Sequence, residues 1–222
     1  MDYMVVREKF HADLKILREK LLEIGRLTEE ALAKAIEALQ TQNVDLALEI
    51  IDGDTEIDQL EEEINDLSIL LLAKQQPVAT DLRRVIVAIK IASDVERMAD
   101  FAVNIAKSAI RIGKEDLIKP LEHVKKMHAI SIEMLSLSLK AYHEEDLTLA
   151  KKVAEMDDEV DELYGITIKE LLNLAKEKQE AMNQITQLLF IARYLERMAD
   201  HTTNVAESVF YLVKGKRYDL NE

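Results

Sequence analysis

Cysteine and tryptophan are missing from this 222-residue chain, and glycine and proline are scarce, at five and two. Without cysteine there are no disulfides and no thiolate metal sites, so any metal must be held by oxygen or imidazole. The shortage of glycine and proline leaves few places for tight turns, while Leu, Ala, Glu, Lys, Ile and Met are abundant and suit helices. Long apolar runs are missing too. A stretch such as "LSILLLA" is far below the ~18 residues a membrane span needs. The first residues, "MDYMVVREKF", lack the apolar core of a secretory signal. These features predict a soluble, cytoplasmic, all-α protein. Positive charge is also short: 29 Lys and Arg stand against 43 Asp and Glu, a net charge of -14. That balance argues against nucleic acid as a partner, because phosphate backbones need clustered Lys and Arg. Cations and basic protein surfaces remain as partners.

What the chain does contain is a repeat. The pentapeptide "ERMAD" occurs at Glu96 to Asp100 and again at Glu196 to Asp200. At an offset of 100, "IASDVERMADFAVNIAKS" lies over "IARYLERMADHTTNVAES", with Asn104, Ala106 and Ser108 recurring as Asn204, Ala206 and Ser208. At an offset of 103, "LALEIIDGDTEID" lies over "LAKKVAEMDDEVD", matching Asp54 with Asp157 and Asp58 with Asp161. The change of offset falls between the blocks, where Pro77 marks a turn that the second half builds differently. Helical periodicity predicts segments at roughly 8–41, 45–74 and 80–112, then roughly 118–143, 147–177 and 180–213. Short connections between long helices make antiparallel neighbours. Each half therefore reads as an up-down-up three-helix bundle, and the fold as two tandem, internally duplicated bundles of about residues 1–113 and 114–222.

The hairpin between the second and third helices of each half sets which residues face each other. About Pro77, Asp54 comes opposite Asp100 and Asp58 opposite Glu96. About a point between Lys178 and Gln179, Asp157 comes opposite Asp200 and Asp161 opposite Glu196. Each half thus brings a DxxxD on one helix against an ExxxD on the next, since residues four apart share a helix face. Like charges at that spacing cost a helix roughly 0.2 to 0.5 kcal/mol each, and a second acidic face adds to this. Two remedies exist. Arg97 and Arg197 can fold across the clusters, or hard oxygen-seeking cations such as Mg, Mn or Fe can bind them. A solvated acidic face is the plainer alternative. The apolar ladder of Val95, Ala99, Ala102 and Ile105 lies ~100° around from Glu96 and Asp100, which places the site near the surface.

Several single residues carry more than one reading. Asn104 and Asn204 are ligands, donors to ligands, or packing amides. His201 follows Asp200 and points ~100° away from it, so it is a surface or capping histidine or else a phosphoacceptor or ligand. Gly53 permits a close helix approach or marks a bend. Arg83 and Arg84 at the first hairpin face a partner or pair with nearby acids such as Asp81, where the second hairpin has Asn183 and Gln184.

On "PVATDLRRVIVAIKIASDVERMADFAVNIA" and "IARYLERMADHTTNVAES", over nearly its whole length, the chain resembles the PhoU family of bacterial phosphate-uptake regulators. The resemblance implies two three-helix bundles and multinuclear metal clusters on paired E/DxxxD motifs. Carried over, the ligands are Asp54, Asp58, Glu96 and Asp100, then Asp157, Asp161, Glu196 and Asp200, with Fe, Mn, Mg or Zn as the metal. It also implies a non-enzymatic cytoplasmic adaptor, reaching the inner face of the membrane through its partners. Those are the ATPase of the phosphate transporter and a sensor histidine kinase, and a homodimer is compatible with the pattern. The alternatives are a histidine phosphotransfer module using His201 and a carboxylate-bridged di-metal enzyme. The second lacks the Glu-x-x-His spacing that such sites use.

Overall fold

The computed structural model describes residues 3–114 and 116–220. Six helices follow in order: α1 (Tyr3–Thr41), α2 (Val44–Gln75), α3 (Ala79–Ile112), α4 (Glu122–Glu144), α5 (Leu147–Glu177) and α6 (Met182–Lys214). A short 3-10 turn, Gln179–Ala181, leads into α6. The duplication shows in the caps. Asn43 accepts from the Leu46 N–H at the start of α2, and Asp146 accepts from the Thr148 and Leu149 N–H groups at the start of α5. Each satisfies orphan donors of a first helical turn.

Two helix starts depart from the periodicity. Helix α1 begins at Tyr3, ahead of the expected 8, and α4 begins at Glu122, after the expected 118. The second delay has a local cause. The Ile118 N–H donates to Gln184 Oε1 at 2.6 Å, and Gln184 Nε2 donates to the Asp116 carbonyl at 3.2 Å. Those backbone groups are thereby withdrawn from a helix, and Pro120 has no N–H to offer one.

Helices α1, α2 and α3 pack as one bundle and α4, α5 and α6 as the other, and the broadest helix contact of all is between α3 and α6. These two run antiparallel. Arg83 near the start of α3 donates from Nε to the Leu212 carbonyl near the end of α6, at 2.9 Å. Asn183 near the start of α6 donates to the Arg111 carbonyl near the end of α3, at 3.0 Å. Donors related by the repeat thus make similar ties in opposite directions, to acceptors one residue out of the repeat register, each satisfying a carbonyl of a last helical turn. Between them the seam is apolar. Met98 is fully buried, with the Thr202 hydroxyl 3.7 Å from its sulfur. Burial of a side chain of that size is worth about 2 kcal/mol.

A second contact joins the bundles. Helices α1 and α4 come so close that a Cβ at Gly25 would lie 2.1 Å from Leu139 Cδ1. Nearby, His128 of α4 is bonded to the Leu32 backbone of α1, and burial holds its imidazole below the usual histidine range. At the end of α4, Glu145 accepts from Arg18 Nη2 at 3.0 Å and from Arg84 Nε at 2.9 Å, joining α1, α3 and α4. Tyr142, beside Arg18, is buried, which pushes its hydroxyl up to about 12.

Candidate functional site

The two acidic hairpins bring their carboxylates together across the helix pairs α2/α3 and α5/α6. Burial raises the Asp54 carboxyl above the usual range, and Asp58 and Asp100 push it further. Glu96 is raised in the same way, by burial and then by Asp100, Asp58 and Glu61. In the second half, burial and then Asp200 and Asp158 raise Asp161. Burial also raises Glu196, followed by Asp200 and Asp161. The facing pairs expected about the turns therefore meet at Asp54 with Asp100, Asp58 with Glu96, and Asp161 with Glu196. Like charges within reach of each other disfavour ionisation, and partial burial compounds the effect.

The clusters differ in depth. The Glu96 side chain is 22% exposed and that of Glu196 only 12%. Asp157 is buried, whereas Asp54 is half-buried. The expectation of a site near the surface suits the first cluster better than the second. Arginine lies against both. Arg97 Nη1 donates to Asp100 Oδ2 at 3.0 Å, and Arg197 Nη1 to Asp200 Oδ2 at 3.0 Å. Each cluster has a second cation, placed differently: Lys107 acts on Asp54 in the first, whereas in the second Arg193 Nη1 donates to Glu196 Oε1 at 2.6 Å and its guanidinium lies 5.8 Å from the centre of the Tyr164 ring. Ser93 occupies the corresponding place in the first half.

As the side chains stand, no three Asp, Glu or His groups among the described residues converge in ion-binding geometry. The chemistry of the donor set nevertheless fits a hard cation. All eight groups are carboxylates, four of them raised by mutual repulsion and burial. In addition, Glu196 Oε2 is buried and accepts no hydrogen bond, with Arg197 Nε 3.8 Å away. Oxygen-only donor sets of this kind suit Mg, Mn and Fe.

The raised carboxyls carry a sign. A carboxyl raised in the folded state holds its proton more tightly there than in the unfolded chain. It therefore costs stability at neutral pH, and that cost is relieved as pH falls through its raised value toward the ordinary carboxylate range. The metal-free protein is expected to gain stability over that window relative to an Asp54→Asn/Glu96→Gln/Asp161→Asn/Glu196→Gln variant. Melting temperatures of both, measured from neutral pH down to the carboxylate range, check this. Parallel curves would contradict it.

The structure places several of the neighbouring residues. His201 turns to the other bundle, where its Nδ1 lies 2.9 Å from Asp94 Oδ1 and its ring 5.8 Å from that of Phe101. Asn204 Nδ2 donates to the same Asp94 oxygen at 3.4 Å. Asn204 is thus a donor to a cross-bundle carboxylate. Gly53 needs no close approach, because a Cβ there would meet nothing within 4 Å. Arg83 and Arg84 are ties within the molecule. Arg84 Nη1 donates to Asp81 Oδ1 at 2.9 Å while its other nitrogens reach Glu145, and Arg83 is held by the end of α6. Sequence reasoning missed Asp94, Glu145 and Gly25, whose partners lie in the other bundle and leave no periodic signal.

The profile of the PhoU domain matches residues 21–109 and again residues 124–209. The chain belongs to the PhoU family. The phosphate-specific transport system accessory protein PhoU homolog of Clostridium acetobutylicum is 41% identical over 219 residues, covering 98% of this chain and 100% of that protein. The homolog of Aquifex aeolicus is 42% identical over 208 residues, 94% of each chain. The crystal structure of PhoU from Pseudomonas aeruginosa matches with a TM-score of 0.89 at 33% identity, covering 93% of this chain and 100% of that one. PhoU from Streptococcus pneumoniae also matches at 0.89 and 33%, covering 95% and 99%. The six-helix architecture expected from the repeat is thus the architecture of solved PhoU proteins.

Proposed function

We propose that this protein is a non-enzymatic regulator of phosphate uptake. In this reading it acts in the cytoplasm between the ATPase of a phosphate transporter and a sensor histidine kinase, repressing the starvation response when phosphate is plentiful. The observation that carries the reading is similarity, over nearly the whole of both chains, to proteins named as accessory to the phosphate-specific transport system. Among the described residues no helix is long and apolar enough to cross a membrane, so work at a membrane transporter would be done through a partner. Deleting the gene in its host is expected to leave starvation genes expressed in phosphate-rich medium. An unchanged reporter would overturn the assignment.

The reading includes metal at both acidic clusters. Asp54, Asp58, Glu96 and Asp100 would hold it in the first bundle, and Asp157, Asp161, Glu196 and Asp200 in the second. Bound Fe, Mn, Mg or Zn would supply positive charge that offsets the carboxylate repulsion. Arg97 and Arg197 would swing aside as cations enter. A cation that binds only the folded state stabilises it by about 2.7 kcal/mol at a hundred times its Kd. Added Mn is expected to raise the melting temperature of the wild type and not that of Asp100→Asn/Asp200→Asn. Equal shifts would remove metal from the reading.

One contact favours a second reading. Asp94 at His201 Nδ1 fixes the ring tautomer that leaves Nε2 free to accept a phosphoryl group. Incubation with a phosphorylated kinase domain, followed by a test for acid-labile phosphate on His201, decides it. No label on the wild type, or equal label on His201→Gln, excludes it.

A further inference from the structure

On the seam between the first half of α3 and the second half of α6 lies an open cavity of about 390 Å³, lined in part by Lys90, Asp94, Glu207, Tyr211, Arg217 and Tyr218. Its two carboxylates are already engaged. Asp94 accepts from Asn204 and faces His201, and Glu207 Oε1 accepts from the Leu220 N–H at 3.0 Å. Its two cations are not: among the described residues neither Lys90 nor Arg217 is held in an ion pair. Both are exposed. In a chain of net charge -14, two uncommitted cations brought to one cavity from different elements favour an anion. The hydroxyls of Ser93 and Ser208, also in the lining, add donors that an oxyanion can use.

Arg217 and Tyr218 reach the cavity because the chain turns back after α6. Gly215 makes that turn at φ 70, a left-handed backbone in which a larger residue would be strained. The Leu220 bond to Glu207 and the Phe210 ring, 5.4 Å from that of Tyr218, hold the returning segment down. Tyr218, in the lining of the cavity, is nevertheless 42% exposed.

The duplication supplies an internal comparison. One hundred positions on, Phe190 and Tyr194 stand where this side has Lys90 and Asp94, and Phe101 stands for His201. There the rings of Phe101, Tyr194 and Phe190 stack in a row, with centroids 6.0 and 6.3 Å apart. The same helix crossing is covered by aromatic rings on one side and left open, polar and cationic on the other. The packing of α3 on α6 therefore does not itself require the polar set.

We propose that this cavity binds a phosphorylated small molecule of mononucleotide size. Its phosphate lies between Lys90 and Arg217, and its planar ring stacks on Tyr218. Phosphate offers several acceptor oxygens to Lys, Arg and hydroxyl donors at once. The volume falls in the range of small-ligand pockets and is too large for inorganic phosphate to fill. Aromatic faces take bases without regard to their sequence-reading edges.

Calorimetric titration of the full chain in EDTA tests this. Chelation removes any metal route through the acidic clusters, so the outcome is independent of that reading. AMP is expected to bind saturably, with adenosine and inorganic phosphate each about tenfold weaker or more. Lys90→Ala and Arg217→Ala should each weaken AMP by about tenfold, and Tyr218→Ala by roughly fivefold or more. Lys178→Ala, an exposed cation in the turn before α6, should change nothing. Saturable AMP binding that the Lys90→Ala/Arg217→Ala protein retains would overturn the proposal, as would no AMP binding by the folded wild type. Inorganic phosphate binding as tightly as AMP would overturn the mononucleotide assignment.

Discussion

Gly25→Leu is expected to cost the folded protein about 2 kcal/mol, even though leucine is the better helix former by roughly 0.8 kcal/mol. The first atom added at Gly25 would lie 2.1 Å from Leu139 Cδ1 and 3.5 Å from Leu139 Cγ. Leu139 is itself buried and has little room to retreat, so α1 and α4 must separate. Urea denaturation checks this, and Leu139→Ala in the same chain should restore part of the loss. A single variant as stable as the wild type would show that the two helices part freely at this point. Gly53 and Gly165 give the opposite case. Each lies within a helix, and a Cβ on either would meet nothing within 4 Å. Gly53→Ala and Gly165→Ala are each expected to gain up to about 1 kcal/mol.

Glu145→Ala is expected to lower stability by about 2 kcal/mol, less than the 3 to 5 of a fully buried ion pair because water still reaches all three partners. The change takes the acceptor from Arg18 Nη2, Arg84 Nε and Arg84 Nη2 together. Glu145 also holds a left-handed backbone, φ 54 and ψ 36, which glycine adopts more easily. Glu145→Gly should therefore retain about 1 kcal/mol more than Glu145→Ala. The order of the two melting temperatures separates the contributions. Equal losses would mean that the backbone conformation carries no strain.

Helix order and hairpin register could be read from the chain because both are local or repeated. The offsets of 103 and 100 align the two halves, and counting outward from Pro77 pairs Asp54 with Asp100 and Asp58 with Glu96. A helix keeps its angular register over many turns, so an error of one residue would have rotated the facing set away. The docking of one bundle on the other could not be read this way. Gly25 looks like any glycine in a helical segment until Leu139 is brought to it. Asp94 sits among polar positions that the periodicity assigns to solvent, yet its partners are 107 and 110 residues further on. For Arg84 the pairing with Asp81 could be read, three residues away, but not the tie of its other nitrogens to Glu145, 61 residues on.

The antiparallel seam of α3 and α6 also bears on how the chain could have arisen. Arg83 reaching the end of α6 and Asn183 reaching the end of α3 are donors one hundred positions apart that make corresponding contacts in opposite directions. That is the symmetry of two identical subunits meeting through a shared patch. The molecule has the form of a homodimer fused into a single polypeptide. Fusion frees the two sides of the seam to change separately. One now carries the Phe101, Tyr194 and Phe190 row, and the other Lys90, Asp94 and His201. A dimer of separate, identical bundles could hold only two copies of one of them.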